Sequence, residues 1–118
     1  MKGQFYFVCT DLVKSANFYT ELLGVEPVFV SERWIDWGEL SCLCLLSSKN
    51  VPDVKYGSNA RFYLKSEDIN SDYEKVKKLG AKIIDEIEVF SENPLGKLFV
   101  AEDFDGNQIE FVYEENPT

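Results

Sequence analysis

The sequence predicts an α+β fold of two βαβββ modules in tandem, because the second half of the chain repeats the pattern of the first. Segment 4–11 is an apolar strand pattern that ends in Asp11, and segment 61–68 has the same shape and ends in Asp68. The two aspartates lie 57 residues apart in a chain of 118 residues. A helix pattern and three strand patterns follow each aspartate. We therefore expect one compact domain in which the same unit occurs twice.

Each module is expected to contain one helix, capped by its aspartate. Apolar residues recur at helical spacing after Asp11 and after Asp68, and the two stripes end at Gly24 and Gly80. An Asp before the first turn and a Gly just past the last turn are typical helix boundaries. The predicted stripes are Leu12, Ala16, Tyr19, Leu22 and Leu23 in the first helix, and Ile69, Tyr73, Val76 and Leu79 in the second.

Three strand patterns follow each predicted helix. They cover Pro27–Ser31, Trp34–Trp37 and Leu40–Leu46 in the first half, and Lys82–Phe90, Lys97–Glu102 and Gln108–Tyr113 in the second. Asp105-Gly106-Asn107 separates the last two and predicts a hairpin turn, since Gly and Asn tolerate positive φ. Ser47–Ser58 is rich in Ser, Asn, Pro and Gly and is typical of a linker. The predicted organisation is module 1 at about 3–47, a linker at 48–59 and module 2 at about 60–114.

The composition excludes several classes of chemistry and partner. The chain has no histidine, so Ser-His-Asp and Cys-His nucleophile systems and His-ligated metals are excluded. A formal net charge of −9 disfavours nucleic acid and anionic membranes as partners. Cys9, Cys42 and Cys44 are an odd set without CxxC spacing, so no disulfide framework is predicted. With no signal-peptide pattern in residues 1–10 and no run of 18 apolar residues, we expect a reducing, cytoplasmic location.

Two motifs resemble those of the vicinal oxygen chelate superfamily, which includes glyoxalase I, extradiol dioxygenases and bleomycin-resistance proteins. The first is Asp11-Leu12, Ala16-Asn17-Phe18-Tyr19 and Leu22-Leu23-Gly24. The second is Asp103-Phe104-Asp105-Gly106-Asn107-Gln108-Ile109-Glu110-Phe111, with Phe104 where the family usually has Pro. The resemblance covers about residues 3 to 114. It implies a curved mixed sheet around a cavity, with the helices on the outer face.

Strand alternation then assigns side chains to the two faces. The cavity side is expected to carry Gln4, Tyr6 and Val8 from the first strand, Arg61, Tyr63 and Lys65 from its repeat, and Gln108, Glu110 and Val112 from the last strand. The helix side is expected to carry Phe5, Phe7, Cys9, Phe62, Leu64, Ile109 and Phe111.

The resemblance also implies four metal-ligand positions, which the family usually fills with His and Glu. Here they are Gln4, Arg61, Glu110 and Cys44, with Cys42 as the alternative to Cys44. A guanidinium has only donors and a permanent positive charge, so Arg61 would repel a cation. We therefore expect no metal and no other cofactor. Arg61 could pair with Glu110 as a buried strut between the modules, or it could contact a ligand.

Other residues have both a pocket interpretation and a structural one. Trp34, Trp37, Tyr6, Tyr63 and Phe99 could form an aromatic pocket wall or pack in the core. Lys65 and Lys97 could join Arg61 in a positive pocket or be solvated. Cys42 and Cys44 are expected to share a strand face. They could be reactive thiolates activated by Arg61, or inert buried thiols. The acidic stretch Asp85–Glu92 is expected to be a solvated face.

The sequence therefore predicts a metal-independent small-molecule binding protein that resembles the bleomycin-resistance proteins. Its expected ligand-binding residues are Gln4, Tyr6, Trp37, Cys44, Arg61, Tyr63 and Glu110. The alternative is a divalent-metal-dependent glyoxalase-type lyase or dioxygenase with an atypical ligand set, in which Glu110 would be catalytic. A non-catalytic module that binds a partner protein is a third possibility. The resemblance also implies a homodimer, with or without exchange of modules.

Overall fold

The structure, a computed structural model, describes residues 3–38, 41–51, 53 and 60–115. The chain divides into two compact units, Met1–Tyr56 and Gly57–Thr118. Most of the predicted linker, residues 52 and 54–59, lies outside the described residues. None of the helices in the described part of the chain is long and apolar enough to span a membrane.

The first unit is a four-stranded mixed sheet with one helix. In chain order it contains β1 (Phe5–Cys9), α1 (Leu12–Leu23), β2 (Phe29–Val30), β3 (Trp34–Asp36) and β4 (Leu43–Ser47). The strand order is β1-β4-β3-β2, in which β1 and β4 are parallel and the other pairs are antiparallel. A short 3-10 turn, Ser48–Asn50, follows β4.

The second unit repeats this arrangement. It contains β5 (Arg61–Lys65), α2 (Ile69–Lys78), β6 (Lys82–Glu92), β7 (Leu95–Glu102) and β8 (Gln108–Glu114). The strand order is β5-β8-β7-β6, again with one parallel pair, β5 and β8. The predicted α+β fold with two βαβββ modules is therefore confirmed, with one sheet in each unit.

The helix boundaries follow the predicted chemistry. The Asp11 side chain accepts a hydrogen bond from the Lys14 N–H at 3.1 Å, and Asp68 accepts one from the Ser71 N–H at 3.1 Å. Gly24 ends α1 in the left-handed region with φ 71°, a conformation that Gly adopts without steric cost. Both N-cap predictions are confirmed.

The predicted turn before β8 forms around a buried aspartate. Asp103 Oδ1 accepts from the backbone N–H groups of Asp105 and Asn107, each at 2.9 Å, and Oδ2 accepts from Asn107 Nδ2 at 3.0 Å. Gly106 has φ 81°, so the sequence prediction of a positive φ holds at the glycine. Asp103 therefore fixes the direction in which β8 enters the sheet.

Each unit packs its helix against one face of its sheet. In the first unit the fully buried Tyr19 of α1 contacts Phe7, with 6.1 Å between ring centroids. In the second, Tyr73 of α2 meets the edge of Phe99, which stacks on Phe111 at 4.5 Å. These contacts identify the helix face of each sheet, and the opposite face is called the open face below. The predicted helix-side residues of β1, β5 and β8 lie on the helix faces.

Strand β4 differs from its predicted span. The prediction began at Leu40, which lies outside the described residues, and the observed strand begins at Leu43. Cys42 has φ 58°, a left-handed conformation that is incompatible with a continuous strand. The expectation that Cys42 and Cys44 share one strand face is therefore wrong, because Cys42 precedes the strand.

Candidate functional site

The open face of the second unit has an arginine on its edge strand, at the start of β5. The Arg61 Nε donates to Gln108 Oε1 at 2.8 Å, and its Nη1 lies 3.0 Å from Glu110 Oε2. Its Nη2 is 4.0 Å from Asp85 Oδ2. The side chains of Arg61, Glu110 and Asp85 are 40%, 24% and 55% exposed. The cluster of Arg61, Asp85, Gln108 and Glu110, called the Arg61 cluster below, is therefore open to solvent and to ligands.

The strand register explains how these side chains come together. Gln108 is directly opposite Arg61, and Glu110 is opposite Tyr63, so β5 and β8 present them on one face. Asp85 lies on β6, at the other edge of the sheet, three strand spacings or about 14 Å away in a flat sheet. The 4.0 Å approach of Asp85 to Arg61 indicates a concave open face, as do the register shifts along β6.

This geometry corrects one interpretation of the Arg61–Glu110 pair. The pairing itself is present, but Arg61 and Glu110 are both residues of the second unit, on neighbouring strands. A strut between the modules needs one residue from each, and a buried strut needs both charges removed from water. The pair meets neither requirement, so the strut interpretation is wrong.

A groove adjoins the Arg61 cluster at the Tyr63 side chain. Its volume is about 650 Å³, within the usual range for small-molecule sites. It is lined by Tyr63, Lys65, Ser66, Glu67, Val112, Tyr113, Glu114 and Glu115. Lys97 lines a smaller neighbouring groove of about 300 Å³ that shares Glu67 and Tyr113 with the first. The two lysines predicted to join Arg61 thus lie in grooves with acidic neighbours.

The open face of the first unit is mostly aromatic and apolar. Tyr6, Cys44, Asp36 and Phe29 form one row across the four strands, and Trp34 lies in the next row. Phe29 and Trp34 stack with ring centroids 5.1 Å apart. Gln4 donates through Nε2 to Asp36 Oδ1 at 2.9 Å. Gln4 therefore contacts a carboxylate of its own unit, as Arg61 does in the second unit.

Two aromatic candidates lie in the core. Trp37 is 4% exposed, packs against Tyr19 with 6.4 Å between ring centroids, and donates its indole N–H to the Val25 carbonyl at 3.1 Å. Phe99 is fully buried on the helix face. The pocket-wall interpretation is therefore wrong for both residues. Trp34 and Trp37 are an odd number of residues apart, so a continuous strand directs them to opposite faces.

Cys44 occupies the position that corresponds to Glu110. Cys44 is in register with Tyr6, and Glu110 is in register with Tyr63, the equivalent residue of the repeat. Burial, and to a lesser extent the negative charge of Asp36, raise the pKa of the Cys44 thiol. A raised pKa favours the neutral thiol, which agrees with the inert interpretation and not with a reactive thiolate.

Sequence reasoning missed Asp36 and Asp85. Asp36 belongs to a three-residue strand, and Asp85 was assigned to a solvated acidic face. Strand alternation places Trp34 and Asp36 on the same face. Because Trp34 was a candidate for the pocket wall, the sequence also indicated that Asp36 faces the pocket. No sequence signal could have found Asp85, because its approach to Arg61 depends on the curl of the sheet.

The residues at the expected metal positions do not fit a divalent ion. Arg61 places its donors against Glu110, and the raised pKa of Cys44 disfavours the thiolate that a metal requires. Across the part of the chain that the structure describes, no group of three or more His, Cys, Asp or Glu residues is arranged to hold a metal.

Comparison with known proteins gives one consistent result. The model of the Glyoxalase/Bleomycin resistance protein/Dioxygenase superfamily matches residues 3–111. A family enzyme of that description from Burkholderia phytofirmans PsJN aligns with TM-score 0.80 at 14% identity, over 94% of this chain and 96% of the other. A superfamily member from Sphaerobacter thermophilus DSM 20745 gives TM-score 0.74 at 20% identity, over 97% of both chains.

A hypothetical protein from S. aureus gives TM-score 0.73 at 24% identity, over 96% of this chain and 93% of the other. At these identities the three structures show the shared fold alone. None of the curated proteins compared matches the chain.

Proposed function

The chain belongs to the Glyoxalase/Bleomycin resistance protein/Dioxygenase superfamily, and we propose that it is a metal-independent binding protein for a small organic molecule. The observation that carries the proposal is the Arg61 guanidinium, which lies against Glu110 on a concave open face. Metal-dependent members of the family use these positions for ligands of a divalent ion. A fixed positive charge at one of them is incompatible with that use and suited to contacts with a ligand.

The Arg61 cluster supplies polar groups that can orient a ligand. A guanidinium has five N–H donors, and Arg61 uses one on Gln108 and one on Glu110 in the hydrogen bonds described above. At 40% side-chain exposure, it retains donors that can reach a carbonyl or an anionic oxygen of a bound molecule. The carboxylates of Glu110 and Asp85 can accept hydrogen bonds from the same molecule.

The aromatic rings supply apolar contact area. Tyr6 and Tyr63 occupy equivalent positions in the two repeats and are 55% and 49% exposed. Exposed aromatic rings beside a few fixed polar groups are typical of small-molecule sites. The groove next to Tyr63 is large enough to hold such a molecule. The proposed ligand-binding residues of the second unit are therefore Arg61, Tyr63 and Glu110. Those of the first unit are Gln4, Tyr6 and Cys44, without Trp37.

Calorimetric titration tests the proposal, with bleomycin, benzylamine and benzoate as probes. We expect saturable binding of at least one probe. For benzoate, whose carboxylate can accept from the guanidinium, we expect Arg61→Gln to lower the affinity by about tenfold or more, since hydrogen bonds to a charged donor contribute about 1.5–3 kcal/mol. Lys78→Gln removes the same charge from the exposed helix of the same unit and should leave the affinity unchanged.

Two results would contradict the proposal. The first is a lack of saturable binding for all three probes. The second is an unchanged benzoate affinity in Arg61→Gln, which would remove Arg61 from the binding site. The homodimer and the cytoplasmic location stay predictions; sedimentation of the purified chain checks the first.

A further inference from the structure

One carboxylate stands alone among the four strands of the first unit. Asp36 is the single charged residue of β1, β2, β3 and β4, all of which the structure describes. Its side chain is on the open face, in the same row as Tyr6, Cys44 and Phe29. A negative charge among apolar and aromatic side chains attracts a positive charge more strongly than a fully solvated one, because its surroundings screen it less than water does.

The Asp36 carboxylate is held by one of its oxygens. Oδ1 accepts from Gln4 Nε2 at 2.9 Å and from the Gly38 N–H at 2.6 Å. Among the residues that the structure describes, no hydrogen bond to Oδ2 is present. The orientation is therefore fixed while one oxygen is still available to a ligand.

Exposed aromatic rings surround this carboxylate. Phe29 is directly opposite Asp36 in the antiparallel pair of β2 and β3. Trp34 is two residues before Asp36 on the same face, about 7 Å along the strand, and its ring stacks on Phe29. Tyr6 lies two strands away in the same row and is more than half exposed. The faces of such rings attract cations through their quadrupoles.

The charge of Asp36 also acts across the open face. It contributes to the raised pKa of the Cys44 thiol on the neighbouring strand, where burial is the larger cause. The negative charge of Asp36 therefore acts at Cys44, the residue between Asp36 and Tyr6 in this row.

We propose that the open face of the first unit binds an organic cation, a substituted ammonium, with its positive charge beside Asp36 and its alkyl groups against Phe29 and Trp34. The proposal rests on the proposed function, since it names the ligand class for part of the same binding protein. Charge complementarity selects this occupant. A second copy packed here would have to bring a Lys or Arg side chain to Asp36 to avoid burying its charge, and Ca²⁺ or Mg²⁺ would need several oxygen ligands where one carboxylate is available.

The test compares choline with 3,3-dimethylbutan-1-ol, which has the same shape and no charge. Binding is followed by NMR through the indole N–H signals of Trp34 and Trp37, assigned with a Trp34→Phe variant. We expect choline to shift the Trp34 signal saturably, with at least about tenfold higher affinity than the neutral alcohol. The Trp37 signal should stay in place, because that residue is in the core.

Two matched variants isolate the carboxylate. Asp36→Asn keeps Oδ1 as the acceptor for the Gly38 N–H and removes the charge, so it should fold and lose about tenfold or more of the choline affinity. Glu21→Gln removes the same charge from an exposed position of α1 in the same unit and should bind choline as the original chain does.

The outcomes separate this inference from the proposed function. Equal affinity for choline and the neutral alcohol, or full choline affinity in Asp36→Asn, would overturn the cation site while the binding function stands. A concentration-dependent dimer that Trp34→Ala weakens, with no choline effect on the Trp34 signal, would assign the face to a second copy and overturn the inference. Lack of saturable binding for every probe, here and in calorimetry, would overturn the proposed function itself.

Discussion

The contribution of the Arg61–Glu110 pair to stability can be predicted from its exposure. The Nη1 to Oε2 distance is 3.0 Å, and the two side chains are 40% and 24% exposed. Exposed ion pairs contribute about 0.2–1 kcal/mol, whereas breaking a buried pair costs about 3–5 kcal/mol. Solvent screens this pair, so we expect a coupling free energy of about 0.5–1 kcal/mol. Such a value would leave Arg61 available to a ligand at little cost in stability.

A double-mutant cycle measures this coupling. Urea unfolding of the original chain, Arg61→Met, Glu110→Gln and the double variant gives the four free energies of unfolding. Met retains the apolar stem of Arg61, and Gln retains the shape of Glu110. The coupling should fall in 1 M NaCl, where the Debye length is about 3 Å. A coupling above about 3 kcal/mol that does not change with salt would refute the reasoning and make the pair a structural strut.

Three further predictions concern stability and reactivity. An alanine Cβ at Gly96 would lie 2.6 Å from Phe90 Cζ, so the half-exposed Phe90 ring would have to move, and Gly96→Ala should lower the free energy of unfolding by up to about 1 kcal/mol in urea titration. The loss should disappear in a Phe90→Ala background, and its persistence there would contradict the contact. Asp103→Ala should lower the free energy of unfolding by about 2–3 kcal/mol in thermal unfolding, because the three N–H groups that donate to Asp103 lose their acceptor. A loss below about 0.5 kcal/mol, the size expected for an ordinary surface substitution, would contradict the role of Asp103 in the turn. Cys44 should react slowly with iodoacetamide at pH 7.5 and faster in Asp36→Asn. Loss of the negative charge lowers the pKa of the Cys44 thiol and so raises the fraction of reactive thiolate. Equal reaction rates in the two chains would contradict the effect of Asp36.

The features that local sequence determines were predictable. The caps at Asp11 and Asp68 and the turn at Asp103-Phe104-Asp105-Gly106-Asn107 depend on side chains that bond to backbone groups within four residues. The repeat then placed Tyr63 and Glu110 on one face, because alternation has a fixed period of two. These predictions needed no knowledge of which strands are neighbours.

The resemblance implied a curved sheet, but the side-chain contacts that its curvature produces were not predictable. Asp85 reaches Arg61 from the opposite edge strand only because the sheet curls, and curl depends on the register shifts along β6. The interpretation of Arg61–Glu110 as a strut between modules failed because it assumed a contact across the repeat. Strand order within one unit accounts for the contact instead. Trp37 is a different case, since its odd spacing from Trp34 already indicated the opposite face.

Metal analysis tests the central claim, that this chain uses a metal-binding fold without a metal. The protein, purified without chelator, is analysed for divalent ions by mass spectrometry, and probe binding is measured before and after EDTA treatment. Because Arg61 stands at an expected metal-ligand position, we predict far less than one ion per chain and the same probe affinity before and after EDTA treatment. One tightly held ion per chain, whose removal abolishes probe binding and whose return restores it, would contradict the claim.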